Sequence, residues 1–304
     1  MEQTLHREQV ITRAGAASIE SFLVLVGKSL SIAAGDKQVE SQEYLQTLVD
    51  RWEETPLVGV ILTDKEGKVV GGANQARAVV DLVSVADRDY FVWAKTAEAG
   101  SARTFGSVLS RTGQSKGNFI MTIASPVVDK GGFKGVLTAA VVLSSLTEQY
   151  LSPLKFSTET GVHLVDDQGT MLYSSVGPKT GENILTYILE HPFLGSSVVL
   201  QKAEEGLKKG VEGKLDLVWP GEGGWRRNLV AYSPIKIDEG RWWYLVLTTS
   251  VDDALAFVGP LYMRIVVTFA AVFLALLAYA VRLARYFSFR EAQKYEHLTH
   301  GIKE

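Results

Sequence analysis

The chain has 304 residues, 46% of them hydrophobic, so it can bury a core large enough for one large domain or two smaller ones. Its net charge of −3, with no basic face or tail, argues against a general nucleic-acid partner. The sequence contains no cysteine, which excludes disulfides, thiolate metal ligands and a cysteine nucleophile. Five scattered histidines do not suggest a metal site, and we expect no cofactor.

Residues 1–55 are predicted to form a long N-terminal helix and a connecting helix. The segment from Gln3 to Ala34 has few helix breakers, and Ser41 to Trp52 repeats apolar residues at helical spacing. The apolar run from Phe22 to Gly27 is short and has charged residues close on both sides, so it resembles neither a signal peptide nor a membrane span. We therefore expect the sequence to be a fragment that lacks an upstream membrane helix.

An internal repeat occupies the middle of the chain. Gly59–Gly67 matches Gly161–Gly169, and each predicts a strand, a tight turn with Asp and Gly, and a second strand. Each half is then predicted to end in three strands: Phe105–Leu109, Asn118–Val128 and Phe133–Leu143 in the first, and Leu215–Trp219, Arg227–Ile235 and Trp242–Thr249 in the second. The sequence thus predicts an α+β fold in which two tandem modules with antiparallel sheets, residues 56–150 and 151–255, follow the N-terminal helices.

A transmembrane helix is predicted over residues 258–282. The apolar stretch from Leu261 to Val281 has about 20 residues, enough to cross the hydrocarbon core, and a buried core helix would not stay apolar on every face. The basic residues that follow it are Arg282, Arg285, Arg290 and Lys294. The positive-inside rule then places residues 283–304 in the cytoplasm as a signalling-helix stub, and the two modules outside a bacterial inner membrane.

Motifs for catalysis are not found in this sequence. His300 is followed by Gly301, whereas the phosphoacceptor histidine of a kinase is normally followed by an acidic residue. Asp166-Asp167 and Asp252-Asp253 are interpreted as turn and helix-start residues rather than as catalytic carboxylates. We predict that the chain is not an enzyme and has no catalytic residues. An enzyme of the cell envelope and a protein-interaction module without a small ligand are the alternatives.

A candidate ligand site lies in Asp87–Trp93, where three aromatic and three charged residues occur within seven positions. The planar guanidinium of Arg88 suits a carboxylate or phosphate, and Tyr90 can cover the apolar part of a ligand. If the segment is helical, Asp89 and Trp93 share one face. The structural alternative is that Arg88 pairs with a neighbouring aspartate while the aromatic residues pack in the core.

At this point the sequence resembles the double Cache (dCache) sensor domains of bacterial chemoreceptors, histidine kinases and diguanylate cyclases. The resemblance covers about Thr12 to Thr249 and rests on Asp87-Arg-Asp-Tyr-Phe91, Ser125-Pro126 and Gly132-Phe-Lys-Gly-Val136. The order of long helix, two PAS-like modules and membrane helix is also distinctive. The resemblance implies that the first module is membrane-distal and holds a small molecule between its sheet and the segment after its first hairpin. It also implies a homodimer through the long helix, and a last strand and membrane helix that shift on binding.

The resemblance further implies a set of ligand-binding residues: Arg88, Asp89, Tyr90, Trp93, Phe105, Ser107, Met121 and Ala140. Members that bind free amino acids use an Arg-x-Trp-Tyr motif for the carboxylate and two aspartates for the ammonium group. Leu109 and Ala140 occupy the aspartate positions in this sequence. A buried ammonium group without carboxylates would be poorly compensated, so a small organic acid is favoured and a free amino acid disfavoured. In the second module we expect His163 to be a packed side chain.

Overall fold

The computed structural model describes residues 2–78, 83–109, 119–155, 160–176, 180–190, 197–221, 224–238, 240–251 and 258–300. The chain divides into two compact units, residues 1–251 and residues 252–304. The Asp252-Asp253 pair lies outside the described residues.

A single long helix, α1 (Glu2–Ala34), opens the first unit and packs against strands of both sheets. One face of α1 is buried along most of its length, for example at Ile19, Val26 and Leu30. At Gly15 a Cβ atom would lie 2.6 Å from Leu154 Cδ1, so the absent side chain lets the helix approach the core closely. Helix α2 (Gln42–Asp50) follows, with the Ser41 side chain accepting a hydrogen bond from the backbone N–H of Tyr44 as an N-cap.

The first sheet has five antiparallel strands in the order β2-β1-β5-β4-β3. They are β1 (Leu57–Thr63), β2 (Val69–Asn74), β3 (Arg103–Leu109), β4 (Phe119–Asp129) and β5 (Gly132–Val142), and the short helix α3 (Asp89–Ala94) lies between β2 and β3 in the chain. A 3₁₀ turn (Ser152–Leu154) follows helix α4 (Leu143–Tyr150).

The second sheet repeats the same strand order, β7-β6-β10-β9-β8. Its strands are β6 (Gly161–Val165), β7 (Met171–Ser174), β8 (Gly213–Gly221), β9 (Gly224–Asp238) and β10 (Arg241–Ser250). Helices α5 (Ile184–Glu190) and α6 (Ser197–Lys209) lie between β7 and β8 in the chain. The matching orders confirm the predicted architecture of a long N-terminal helix and two PAS-like modules.

The two halves of the sequence repeat form equivalent hairpin turns. Asp64 Oδ1 accepts hydrogen bonds from the backbone N–H groups of Glu66 and Lys68, at 3.0 and 2.8 Å. Asp166 Oδ1 does the same for the residues at the corresponding positions, at 3.0 and 2.7 Å. Gly67 and Gly169 close the turns with φ of 86° and 84°, a left-handed conformation that favours glycine. Asp166 is therefore a turn residue, as the sequence predicts.

The core of the first unit has three parts. The largest cluster joins the buried face of α1 to the inner faces of both sheets and to α2 and α4. A second cluster covers the opposite face of the first sheet, where α3 packs, and a third covers the opposite face of the second sheet near α6. Each sheet is thus covered on two faces, with α1 shared between them.

The second unit contains one long helix, α7 (Val258–His300). Two helical stretches are long and apolar enough to cross a membrane, Thr4–Ala34 and Tyr262–Leu283. The first is 44% buried within the fold, because it supplies the shared face of α1, whereas the second is not buried at all. The transmembrane prediction therefore rests on Tyr262–Leu283, since one apolar face of α1 is buried in the core.

Candidate functional site

Helix α3 is a single short helix held against the first sheet. Arg88 precedes it in an extended conformation, and its carbonyl oxygen accepts hydrogen bonds from the N–H groups of Phe91 and Val92, at 2.9 and 3.0 Å. The segment before the helix is tied to the hairpin turn by a hydrogen bond from Val85 N–H to the Gly67 carbonyl, at 2.8 Å. The predicted helical arrangement of Asp87–Trp93 is thus present from Asp89 onward.

Five aromatic side chains meet where α3 faces β3 and β5. The ring of Phe105 is approached edge-on by Tyr90, with ring centroids 6.1 Å apart, and by Trp93 at 5.5 Å. Phe91 is fully buried and contacts Phe133 at 5.9 Å. Trp93 and Phe105 are only partly buried, so this aromatic group has both a packed and an accessible part.

The sheet contributes a row of small and polar residues beside Phe105. Pairing places Thr122 opposite Phe105 and Ala140 opposite Thr122, and Gly59 pairs with Ala140 on the next strand. Directly paired residues in an antiparallel sheet project from the same face, so this row faces α3. The neighbouring row includes Thr138, which is 3% exposed, next to the 5% exposed Thr122.

Arg88 is the residue immediately before α3. The side chain is partly buried, and it forms no hydrogen bond or salt bridge with any residue that the structure describes. Burial raises the pKa of Tyr90 to about 12, the charge of Arg88 opposes that rise, and the charge of Asp87 adds to it. Within the described residues, Arg88 therefore does not follow the structural alternative of pairing with a neighbouring aspartate.

The structure brings most of the predicted site residues together but separates one. Arg88, Tyr90, Trp93, Phe105 and Ala140 lie on the α3 side of the first sheet, with Asp89 exposed at the start of α3. Met121 lies on the opposite face, fully buried in the cluster shared with α1. Ser107 lies at a bulge of β3 between Phe105 and Val108, and its side chain is outside the described set.

Sequence reasoning missed Thr122 and Thr138, which share the face of Phe105. The signal that could have found them is the alternation within β4. Because Met121 and Ile123 are the strongly apolar pair of that strand, a period of two places Thr122 and Ala124 on the other face. The corresponding alternation in β5 sets Thr138 and Ala140 apart from Ala139 and Val141.

The corresponding face of the second sheet is filled by its own side chains. Both ring nitrogens of His163 are hydrogen-bonded, Nδ1 with Ser174 Oγ at 2.9 Å and Nε2 with Thr248 Oγ1 at 3.1 Å. Burial lowers the pKa of His163 to about 4, so the imidazole is neutral at physiological pH. The Tyr244 hydroxyl donates a hydrogen bond to the Gly206 carbonyl oxygen of α6 at 2.7 Å. No group of three or more His, Asp or Glu residues in the described part of the chain could hold a metal ion.

The fold is similar to those of several solved sensor domains. An extracellular ligand-binding receptor from Desulfohalobium retbaense aligns with 14% identity and a TM-score of 0.58, over 80% of this chain and 40% of that one. The ligand-binding domain of the amino acid chemoreceptor PctB from Pseudomonas aeruginosa, solved with L-Arg, aligns with 19% identity and a TM-score of 0.59, over 86% and 93%. A domain of a sensory box/GGDEF family protein from Vibrio parahaemolyticus aligns with 14% identity and a TM-score of 0.61, over 83% and 98%. At these identities the similarity concerns the fold.

The sequence itself identifies the family. No curated protein matches the chain. Residues 1–258 match the dCache_1 family, described as Cache domain, and this range contains α1 and both sheets. The resemblance seen in the residues is thereby confirmed, and the chain belongs to the dCache family of extracellular sensor domains of membrane receptors.

Proposed function

We propose that the chain is a transmembrane receptor that binds a small carboxylate between α3 and the first sheet. The observation that carries this proposal is the partly buried Arg88 guanidinium, which has no counter-ion among the described residues and lies beside a partly accessible aromatic group. A guanidinium in such a position offers a planar pair of donors for a carboxylate.

The surrounding groups suit the remainder of such a ligand. Because the pKa of Tyr90 is raised to about 12, its hydroxyl stays protonated and can donate a hydrogen bond at any physiological pH. Trp93 and Phe105 provide partly buried rings for an apolar portion. Thr122 on the sheet adds a hydroxyl that can donate or accept. The site therefore favours a molecule with one anionic end and a short, mostly apolar body.

A site that binds an ammonium group needs carboxylates from the protein near the sheet. The described residues of the row beside Phe105, namely Gly59, Ala140 and Thr122, bear none. This supports an organic acid without an amine. PctB, which shares the fold, is solved with L-Arg and with L-Gln, and this argues against excluding amino acids from a search.

Ligand binding is tested by thermal-shift titration of the full chain in nanodiscs with organic acids, amino acids, amines and purines. An organic acid should raise Tm in a dose-dependent manner. Arg88→Ala should weaken the apparent affinity at least about 10-fold, because it removes a charged hydrogen-bond donor pair. Arg77→Ala is the matched control, since Arg77 is exposed and pairs with Asp50 on the surface.

Four results would contradict this proposal in different ways. If amino acids stabilise the chain and organic acids do not, the ligand class is wrong but the receptor role stands. Binding that survives Arg88→Ala would place the site elsewhere. If no compound in any class shifts Tm, a protein-interaction module is favoured, and turnover of a bound compound would indicate an enzyme.

We also propose that two copies associate through α1. Its exposed face carries Val10, Ala14, Ala17, Ser21 and Val24, which follow one another at spacings of three and four residues. This is the pattern of a helix that packs against a second helix. Val24→Glu should reduce the dimer fraction measured by light scattering, whereas Val70→Glu, at an equally exposed residue of β2, should leave it unchanged. Equal dimer fractions in the wild type and Val24→Glu would exclude this contact.

The orientation in the inner membrane is the last part of the proposed function. The basic residues after Tyr262–Leu283 favour a cytoplasmic C-terminus. Because the chain has no cysteine, single cysteines can report on sidedness. A Lys65→Cys variant, at an exposed position of the first hairpin turn, should react with a membrane-impermeant maleimide in intact spheroplasts, and a Lys294→Cys variant should react only after lysis. The reverse pattern would invert the topology.

A further inference from the structure

A buried carboxylic acid lies at the contact between α1 and the last strand of the second sheet. Glu8 is 0% exposed and its neighbour Gln9 is also buried, whereas His6 and Arg7 in the preceding turn are exposed. Both carboxyl oxygens lack a hydrogen-bond partner among the residues that the structure describes. A fully buried carboxyl group without partners is costly in its ionised form, so its presence calls for a physical account.

A second unpartnered polar atom lies beside it. The Oγ1 atom of Thr249 on β10 is also buried without a hydrogen bond in the described part of the chain. Thr249 is nevertheless close enough to stabilise the charged form of Glu8 in part. The carboxyl group and the hydroxyl therefore face each other across the contact between α1 and β10 without meeting hydrogen-bond geometry.

The charged groups near Glu8 that the structure describes interact only weakly with its carboxyl group. On α1, Arg7 favours the ionised form only as a minor effect. Arg13 pairs with Glu212, the residue before β8. Glu212 also accepts a hydrogen bond from Gln9 at 3.3 Å, and the charge of Lys214 on β8 acts on Glu212. Strand β9 presents the backbone carbonyl oxygen of Tyr232 and the hydroxyl group of Ser233 to this part of α1, and β10 presents the hydroxyl group of Thr249. None of these three groups is charged at neutral pH.

Burial is the main effect on the carboxyl group. It raises the pKa of Glu8 from 4.5 to about 7. Between these two values the folded chain holds a proton that the unfolded chain has lost. The stability that protonated Glu8 contributes to the fold is therefore fully present below about pH 4.5, and it is lost as pH rises through about 7.

We propose that Glu8 is a proton-binding switch that controls the contact between α1 and β10. When protonated, the carboxyl group is neutral and tolerates the apolar surroundings. When it ionises, the buried charge must gain water, which requires the start of α1 to separate from the end of β10. Thr249 precedes α7 in the chain, so this contact lies where the sensor unit is followed by the apolar helix. The proposal is independent of ligand binding at Arg88.

The first test compares the wild type with Glu8→Gln, using full chains in nanodiscs at about pH 5 and about pH 8. The wild type should lose on the order of 5 °C more Tm than the variant between the two conditions, because glutamine is neutral at both. Glu2→Gln is the matched control, since Glu2 is exposed on the same helix. The comparison of the wild type with Glu8→Gln is repeated in chains that also carry His6→Asn, which removes the nearest histidine. His163 is present in both chains, so its effect cancels in the difference between their Tm losses. Equal losses in the wild type and Glu8→Gln would overturn the proposal.

Two further measurements do not depend on the stability of Glu8→Gln. Infrared difference spectra of the wild type should show a protonated carboxyl band at about pH 6 that disappears on alkalinisation, and Thr249→Val should move that loss to higher pH. Hydrogen exchange of residues 241–250, corrected for intrinsic rates, should rise above about pH 7 in the wild type. A missing band, or protection of β10 that does not change with pH, would exclude the switch.

Discussion

The guanidinium of Arg103 on β3 forms a salt bridge with the carboxylate of Asp238 on β9, and so links the two sheets. The Asp238 side chain is only 14% exposed, which protects the pair from solvent screening. Arg103 also lies over the ring of Phe105, with its guanidinium carbon 5.4 Å from the ring centroid. A wall of the proposed ligand site is therefore adjacent to the second sheet.

Removing this salt bridge should destabilise the first unit. Asp238→Ala should cost about 1–2 kcal/mol, because it leaves a half-buried guanidinium unpaired. A double-mutant cycle with Arg103→Ala should give a coupling of about 1 kcal/mol. The pair Arg227–Asp216 lies within the second sheet with both side chains more exposed, and its cycle should give about 0.5 kcal/mol or less. Both coupling energies are measured by denaturant unfolding. Similar values would show that the salt bridge between the sheets is no stronger than an exposed one within a sheet.

Acid should destabilise the chain through His163. Its pKa falls from 6.5 in the unfolded chain to about 4 in the folded one, so the unfolded chain binds a proton first. The stability contributed by the neutral imidazole is present above about pH 6.5 and is lost as pH falls through about 4, by up to about 3 kcal/mol. His163→Gln should flatten the acid limb of the plot of Tm against pH, whereas His6→Gln, at an exposed position, should not. An unchanged acid limb in His163→Gln would assign the effect to other groups.

Gly135 should not tolerate a side chain. A Cβ atom there would collide with the backbone carbonyl of Thr63 on the neighbouring strand, so Gly135→Ala should cost about 1–3 kcal/mol. Gly71→Ala is the control, because the new methyl group would lie 3.5 Å from Leu45 Cδ1, an ordinary contact. The two variants are compared by Tm. If Gly135→Ala is as stable as Gly71→Ala, the strands can separate more easily than their pairing suggests.

Phe91 should act as a structural anchor of α3 and not as a ligand contact. It is 0% exposed, so Phe91→Ala should lower the free energy of unfolding by about 3–5 kcal/mol. Val92→Ala, at the next and exposed position, should change it by about 0.5 kcal/mol or less. Both are measured by denaturant unfolding. A neutral Phe91→Ala would mean that α3 is held by other contacts.

The strands and the long helix could be predicted from sequence because their signals are local. The turn residues Asp64 and Asp166 fix the hairpins, and the apolar spacing of α1 fixes its buried face. The face of each strand was harder to predict. The family resemblance places Met121 in the ligand site. The alternation of side chains along β4, however, directs Met121 toward α1, and the resemblance takes no account of that alternation.

The features that depend on residues far apart in sequence could not be predicted. Glu8 reads as an ordinary surface residue of a helix, and only the packing of β10 against α1 shows that it is buried. The link between Arg103 and Asp238 likewise joins residues from different modules. Charge and helical spacing carry no information about such distant partners.

The core that α1 shares with both sheets limits how receptors of this kind can be recombined. Residues such as Ile19 and Val26 belong to the same apolar cluster as Ile123 of the first sheet and Leu245 of the second. A chimera that exchanges residues 56–150 alone would set a foreign sheet against a native helix surface. Exchanges of specificity between relatives should therefore succeed when the matching stretch of α1 is transferred together with its module.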